Sequence, residues 1–508
     1  MKGSLTSYYK RSDFEVTVKN KGMKRMRRGI VCCLLLMTAV LLLPQRAKAE
    51  QAAEDLSKQC QYGGSVRVHA DRLTDDDFES AQRVEKNKVL FVSWTDDVSV
   101  ASVLLSFYFD PVAYTVTEYD ASGATLSETN GTLLWNNLYT VQPETRKIAF
   151  RADAENFALC SLYAYGAGTV PDYHPFEPTP EKADYMLIAM HPDDDVLFLG
   201  AIIPTYGVKN GLEGVAVYMG TRLRIRRQEA LNGAWTMGLK TLPVFGGFPD
   251  IPPDYYEKYG DTFTKDDVIR YIVTMLRTYR PEVVVTQDLE GEYGHWQHKL
   301  LAKGVSEAVP LAADPDYQPK GYPVLDPWNV KKLYLHLYPE NRIQLNVNEP
   351  IEGLEGKTAF EIAKEAFQCH RSQLHGRHSV TNQGIYSLSD FGLAYTTVGN
   401  DTPLVNDMFE HIDPSALTVT PSPEPTEAPT EEPTDTPSPA PTQAPSAVPT
   451  EAPTAVAETP APTVTEAPTP RPVEPQPATN RTVIWLLGGG VTLLLILLMI
   501  LLIARKRR

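Results

Sequence analysis

Residues 184–200, Asp-Tyr-Met-Leu-Ile-Ala-Met-His-Pro-Asp-Asp-Asp-Val-Leu-Phe-Leu-Gly, constrain this chain more than any other stretch. Tyr185 to Met190 is a mostly apolar run that reads as a buried strand. His191-Pro192-Asp193-Asp194 follows at once, and Val196 to Gly200 opens a helical pattern. A strand that stops in a polar loop and turns into a helix belongs to an open α/β sheet, which places ligands at the carboxyl ends of its strands. Pro192 brings no backbone donor, and Asp193 to Asp195 suit the positive end of the coming helix. An imidazole and a run of carboxylates at one rim are unfavourable unless a cation joins them.

The alternation continues along the chain. Strand-like runs fall at Tyr185–Met190, Gly214–Met219, Val283–Thr286 and Leu333–Leu337, and helix-like runs at Arg222–Leu239, Lys265–Tyr279, His298–Val309 and Thr358–Ser372. This predicts an α/β domain over 184–412, a Rossmann-like, mostly parallel sheet with helices on both faces. Residues 50–170 instead alternate with period two, in Ser65–His69, Val89–Trp94, Tyr114–Tyr119 and Lys147–Arg151. That pattern predicts an all-β sandwich domain. Tyr119-Asp120 with Gly123 resembles a hairpin of the jelly-roll modules that accompany carbohydrate-active enzymes, so the sandwich is expected to be jelly-roll-like. Trp94 and Trp135 are either platforms for stacking on sugar rings or, as is commoner for such aromatics, core residues. Pro171 to Pro180 is rich in proline and acid, and residues 171–183 form the expected linker.

At 508 residues the chain exceeds one domain, and its formal charge of −15 excludes a nucleic-acid partner. Residues 1–49 read as a signal peptide: Lys21 to Arg28 is basic, Gly29 to Leu43 apolar, and Ala47-Lys48-Ala49 offers a cleavage site. Met23 is the more ordinary start. Cys60 and Cys160 bracket one segment and form either a disulfide, as an exported protein permits, or two unpaired buried thiols. Residues 413–481 are proline, threonine, alanine and glutamate and cannot bury a core, so a disordered stalk reaching on the order of 200 Å is expected. Thr482 to Ile503 is apolar enough for a transmembrane helix, and Ala504 to Arg508 is a basic cytoplasmic tail. The expected product is exported, faces outward from a bacterial surface and is held to the membrane by one C-terminal helix. The motifs carry no signal of oligomeric state.

A second polar loop follows the strand Val283–Thr286. It contains Glu292-Tyr293-Gly294-His295-Trp296-Gln297-His298 and runs into a helix. Two histidines three apart at a helix start can face the same way. If this strand lies near the first in a parallel sheet, both loops leave the same edge, and two imidazoles with a carboxylate around an open fourth position is the set used for hydrolytic zinc. The same ligands also accept Fe2+ or Co2+.

The order of these motifs makes a resemblance specific. The strand before His191-Pro192-Asp193-Asp194, the helix led by Arg226-Arg227-Gln228-Glu229, Tyr293-Gly294-His295-x-x-His298, and His370-Arg371-Ser372-Gln373 together resemble the zinc-dependent N-acetylglucosaminyl deacetylases of the PIG-L, or LmbE-like, family. The resemblance covers the segment 184–380. It implies that His191, Asp194 and His298 bind zinc and that Asp193 is the general base. It further implies that His295 stabilises the oxyanion with Tyr293 beside it, and that Arg226 touches substrate. Trp296-Gln297 departs from the family's Pro-Asp between the two histidines, so Gln297 would orient His295 without favouring its protonated form. Either His295 then has a lower pKa than in relatives, or Glu292 or Asp288 supplies the missing charge. The function implied is hydrolysis of the acetyl group from an N-acetylglucosamine-type glycan or glycoconjugate. The alternatives are a non-catalytic surface glycan-binding protein and a zinc amidase acting on a different amide.

Overall fold

The computed structural model describes residues 51–221, 223–251, 262–376 and 378–418. Among them, strands β1 (Gln61–Gly64), β2 (Gln82–Val84), β3 (Val89–Ser93), β4 (Ser102–Phe107) and β5 (Tyr114–Tyr119) come first. They are followed by β6 (Thr125–Asn130), β7 (Asn136–Thr140), β8 (Lys147–Ala152) and β9 (Phe157–Tyr165). These form two antiparallel sheets, ordered β1-β3-β8-β5-β6 and β2-β9-β4-β7. Period-two patterning sets the burial: Leu90 and Val92 of β3 are buried and their neighbours half-buried. Both residues share one apolar cluster with Val103, Leu105 and Leu159 of the other sheet. The turn from β5 to β6 is built locally. Asp120 Oδ1 accepts from the amides of Ser122 and Ala124 at 2.9 Å, and Gly123 takes φ 86°, which a side chain would resist.

One expectation for this region is corrected and two open alternatives are decided. Ser65–His69 is not a strand; pairing with β3 ends at Gly64, where an added β-carbon would lie 2.1 Å from the Val89 carbonyl. Trp94 and Trp135 are buried in the core. Cys60 and Cys160 are free thiols, and the Cys160 Sγ packs 3.5 Å from the Ser106 carbonyl and 3.6 Å from that of Phe107.

The second region holds β10 (Tyr185–Ala189), β11 (Gly214–Gly220), β12 (Val244–Phe248), β13 (Val283–Thr286), β14 (Lys332–His336), β15 (Arg342–Gln344) and β16 (Asp390–Thr396). The sheet order is β12-β11-β10-β13-β14-β16-β15. β12 to β14 pair in parallel, and β16 is antiparallel to both β14 and β15. The sheet is therefore mixed, and its α/β character follows from the helices α1 (Asp194–Leu197), α2 (Arg224–Met237), α3 (Lys265–Tyr279), α4 (Trp296–Ala313) and α5 (Ala359–Phe367). Alternate residues of β10 divide between two cores. Leu187 and Ala189 pack with Val196, Ala234 and Ala363 of α1, α2 and α5. Met186 and Ile188 pack with Ile272 and Leu301 of α3 and α4. Helices thus cover both faces. Thr264 and Thr358 cap α3 and α5, each side chain accepting from the amide three residues on, while Gly238 ends α2 at φ 104°.

Strand order reverses at β10, because β11 and β12 lie on one side and β13 and β14 on the other. The loops after β10 and β13 consequently emerge side by side at the switch point, the place where such sheets leave a crevice. The fold continues to Thr418, whose amide and hydroxyl donate to the buried Asp184 at 2.7 and 2.6 Å.

The membrane-anchored surface location is corrected. Among the described residues no helix is long and apolar enough to cross a membrane. A span takes about 20 apolar residues, whereas the longest described helix, α4, has 18 and carries Lys299, Lys303 and Glu307. The signal peptide (1–49), residues 419–481 of the stalk, the apolar stretch 482–503 and the tail 504–508 lie outside the described residues.

Candidate metal centre

Three ligand atoms converge where the two loops meet. His191 Nδ1 and His298 Nε2 are 3.0 Å apart, and Asp194 Oδ2 lies 3.3 Å from each. The other ring nitrogens fix the tautomers. His298 Nδ1 donates to Glu292 Oε2 at 2.7 Å, and His191 Nε2 donates to Gln297 Oε1 at 3.2 Å. Both inward nitrogens then present lone pairs to one another and to a carboxylate oxygen, an arrangement that repels unless positive charge enters it. Zinc bonds of about 2.0–2.1 Å in tetrahedral geometry separate ligand atoms by about 3.3 Å. The trio thus fits a divalent metal by spacing, by tautomer and by donor type. His295 completes a group of three buried imidazoles whose ligand atoms lie within 4.8 Å of one another, while the carboxylate of Asp194 lies 3.3 Å from both His191 and His298.

Electrostatics point the same way. Burial opposes charge on Asp194, yet His298 and His191 outweigh it and hold its carboxyl far below the usual range. Burial likewise opposes charge on His298, and Asp194 with Glu292 reverses it, raising the imidazole above its ordinary value. The cage attracts positive charge.

Asp193 takes φ 118° at the head of α1, an unusual conformation for a residue with a β-carbon. Its side chain does not cap the helix. Arg226, one turn into α2, holds it instead: Nη2 donates to Asp193 Oδ1 at 2.7 Å and to the Pro192 carbonyl at 2.5 Å, and Nη1 donates to Asp250 Oδ2 at 2.5 Å. Burial pushes the Asp193 carboxyl above the usual carboxylate range, against the pull of Arg226. The guanidinium is thus engaged by two carboxylates and a carbonyl, and its Nε is buried without a partner among the described residues.

Glu292 is fully enclosed and serves two imidazoles. Besides His298 it meets His336 Nδ1 at 3.0 Å, while His336 Nε2 donates to the Ser387 carbonyl at 2.8 Å. Burial is again outweighed, here by the two histidine hydrogen bonds, and the Glu292 carboxyl falls to about 2. Gln297 does not orient His295 through its side chain. Its carbonyl accepts from His191 and from the Ile251 amide, and its amide donates to the Pro249 carbonyl. Only the Gln297 backbone N–H reaches His295, donating to Nδ1 at 3.2 Å and leaving the proton on Nε2. Burial, then His298 and His191, lower the His295 imidazole to about 3, so this ring is a neutral donor. Tyr293 stands at the rim, 43% exposed, at φ 46°, with its ring 5.5 Å from His298 and 5.1 Å from His378.

The structure therefore gathers His191, Asp193, Asp194, Arg226, Tyr293, His295 and His298 at one crevice. Sequence reasoning missed Asp250, which shares Arg226 with Asp193, and left His336 without a role. Asp250 sits beyond β12, a strand with two central glycines and little strand signal. His336 ends β14, and only the parallel pairing of β13 with β14 places it beside Glu292.

Residues 186–309 match the family described as PIG-L, GlcNAc-PI de-N-acetylase. Over 101 residues the chain is 37% identical to the 1D-myo-inositol 2-acetamido-2-deoxy-alpha-D-glucopyranoside deacetylase 2 of Saccharopolyspora erythraea, a match spanning 20% of this chain and 35% of that one. It is 28% identical over 240 residues to the corresponding deacetylase 1 of Catenulispora acidiphila, covering 40% of this chain and 69% of the relative. Among solved structures, N,N'-diacetylchitobiose deacetylase from Pyrococcus horikoshii aligns at 22% identity and a TM-score of 0.29, over 38% of this chain and 71% of that one. Through residues 186–309 the chain carries a domain of the PIG-L, GlcNAc-PI de-N-acetylase, family.

Proposed function

We propose that the chain is a metal-dependent hydrolase that removes the acetyl group from an N-acetylated amino sugar, with zinc as the resident ion. The observation that carries this reading is the trio His191 Nδ1, His298 Nε2 and Asp194 Oδ2 at 3.0–3.3 Å, with an unliganded carboxylate, Asp193, next in sequence. In this reading the Rossmann-like sheet of 184–412 is the catalytic domain, 171–183 the linker, and 50–170 a jelly-roll-like sandwich.

His191, Asp194 and His298 would hold the ion, which when bound polarises an amide carbonyl and acidifies water. Asp193 takes the proton of the attacking water at its carboxylate and later returns it to the leaving amine. Arg226 fixes the direction of that carboxylate and, through Asp250, its own position. His295 offers its Nε2–H to the carbonyl oxygen as negative charge develops there, and as a neutral imidazole it gives up no proton in doing so. Tyr293 covers the mouth, where its hydroxyl reaches the same oxygen once substrate enters. Acetate and a free amino sugar leave.

Metal analysis of the purified chain beside His298→Ala tests the reading without a choice of substrate. About one zinc per chain, lost in the variant, supports it. No bound metal after zinc has been supplied removes the mechanism.

A further inference from the structure

A second cavity, of about 440 Å³, lies between the four-stranded sheet and α2. Its size falls in the range of about 300–1,000 Å³ usual for small-ligand sites. The floor is set by strand register. Asn136, Ser106 and Ser161 are directly opposed across β7, β4 and β9, so their side chains form one row on one face. Leu104 and Tyr163 form the next row. The opposite wall is one face of α2, with Ile225, Gln228, Glu229 and Asn232 at the i, i+3, i+4, i+7 spacing.

The polar groups here are unevenly satisfied. Ser106 and Ser161 are only 5% and 6% exposed, line the cavity, and have hydroxyls without a hydrogen-bond partner among the described residues. Both hydroxyls open into the cavity, where the polar groups of an entering ligand can meet them. The wall amides, by contrast, are locked: Asn136 Nδ2 donates to Gln228 Oε1 at 2.7 Å, and Gln228 Nε2 donates to Asn232 Oδ1 at 3.0 Å. Three carboxylates border the space. Asp76 accepts from the Tyr163 hydroxyl at 2.6 Å, Glu229 accepts from the amide and hydroxyl of Ser372 at 2.6 Å, and Asp172 lies 3.6 Å from Arg371. One guanidinium does not balance them.

We propose that this cavity binds an amino-sugar unit bearing a free ammonium group, with the serine hydroxyls meeting the sugar hydroxyls and the bordering carboxylates meeting the ammonium. A polyhydroxylated cation answers both features at once: the unpaired hydroxyls of the floor and the excess negative charge of the rim. The identity of the sugar rests on the deacetylase reading, because removal of an acetyl group leaves such a unit. The two sites share a helix. Ile225 and Glu229 face the cavity while Arg226, between them in sequence, reaches Asp193. An oligosaccharide already freed of one acetyl group would thus be held beside the centre that removes the next.

The test is calorimetric titration of the full chain with glucosamine oligomers, and with N-acetylglucosamine and glucose oligomers of equal length. Ser161→Leu fills the floor. Asp172→Asn, on an exposed loop, removes rim charge without touching the core and keeps the test valid if the first variant unfolds. The glucosamine oligomer is expected to bind about tenfold more tightly than the other two, weakening about tenfold in Ser161→Leu and about fivefold in Asp172→Asn. Equal binding of all three sugars, or unchanged glucosamine affinity in both variants, overturns the proposal. Acetate release measured on the same samples keeps the two readings apart. Variant-sensitive glucosamine binding without acetate release sinks the hydrolase and keeps the cavity, and acetate release with variant-insensitive binding does the reverse.

Discussion

Replacing Glu292 by glutamine removes one oxygen and one charge from a position that has use for both. Its Oε2 receives the His298 Nδ1 proton at 2.7 Å, and its Oε1 accepts from the Asp288 amide and lies against His336 Nδ1, each at 3.0 Å. A glutamine can keep its carbonyl on the side of His336 and Asp288. Its NH2 then faces the Nδ1–H of His298, donor against donor. The ring escapes by moving its proton to Nε2, the atom that points into the cage. A hydrogen bond to a charged group contributes about 1.5–3 kcal/mol, and loss of such a supporting carboxylate weakens metal binding about 10–100-fold, or about 1.4–2.8 kcal/mol. The two figures agree. Zinc competition against a chelator of known affinity reads the effect, with a melting curve to confirm that the variant is folded. Folded E292Q with a zinc affinity within twofold of the parent would refute the tautomer argument.

Arg226→Lys keeps a charge but not three directed contacts, so Asp193 loses its aim; kcat should fall about 100-fold with metal content unchanged, and an unaltered kcat would show that Arg226 does not position the base. His370 is fully buried with neither ring nitrogen paired among the described residues, and burial lowers it to about 3. Its folded value lies below the unfolded one, so the unfolded chain takes up the proton first, and stability is lost as pH falls from about 6.5 towards 3. Between pH 7 and 5 this amounts to about 2 kcal/mol; His370→Leu should remove that share of the slope in urea titrations, and an unchanged slope counts against it. Thr264→Ala opens the capping box of α3 and should destabilise by about 1 kcal/mol in the same titration, whereas no change would mean that the cap contributes nothing.

The legible parts of the molecule were those in which neighbours in sequence are also neighbours in space. β10 and His191–Asp194 form a continuous strand–loop–helix, and Lys265–Tyr279 is a helix with its cap written beside it. Strand order was not legible, and everything that depends on it had to be seen. The two loops meet because β13 returns to the side of β10 opposite β11. His336 enters only through β14. Gln297 shows the limit most clearly. Its place between two histidines suggested service to His295, but the helix turn carries its side chain to His191, Ile251 and Pro249. β16 was missed because Asp390–Thr396 contains glycine and alanine and pairs antiparallel at a sheet read as parallel. Trp94 and Trp135 show the same limit from the other side, since composition alone does not separate a core aromatic from a sugar platform.

The most direct test of the central claim is acetate release from an N-acetylglucosamine oligomer by the zinc-supplied chain beside Asp193→Asn. The parent should release acetate in step with free amine, and the variant should retain about one zinc per chain while its rate falls at least about 100-fold. No acetate from the zinc-loaded parent, or an undiminished rate in the variant, would contradict the account.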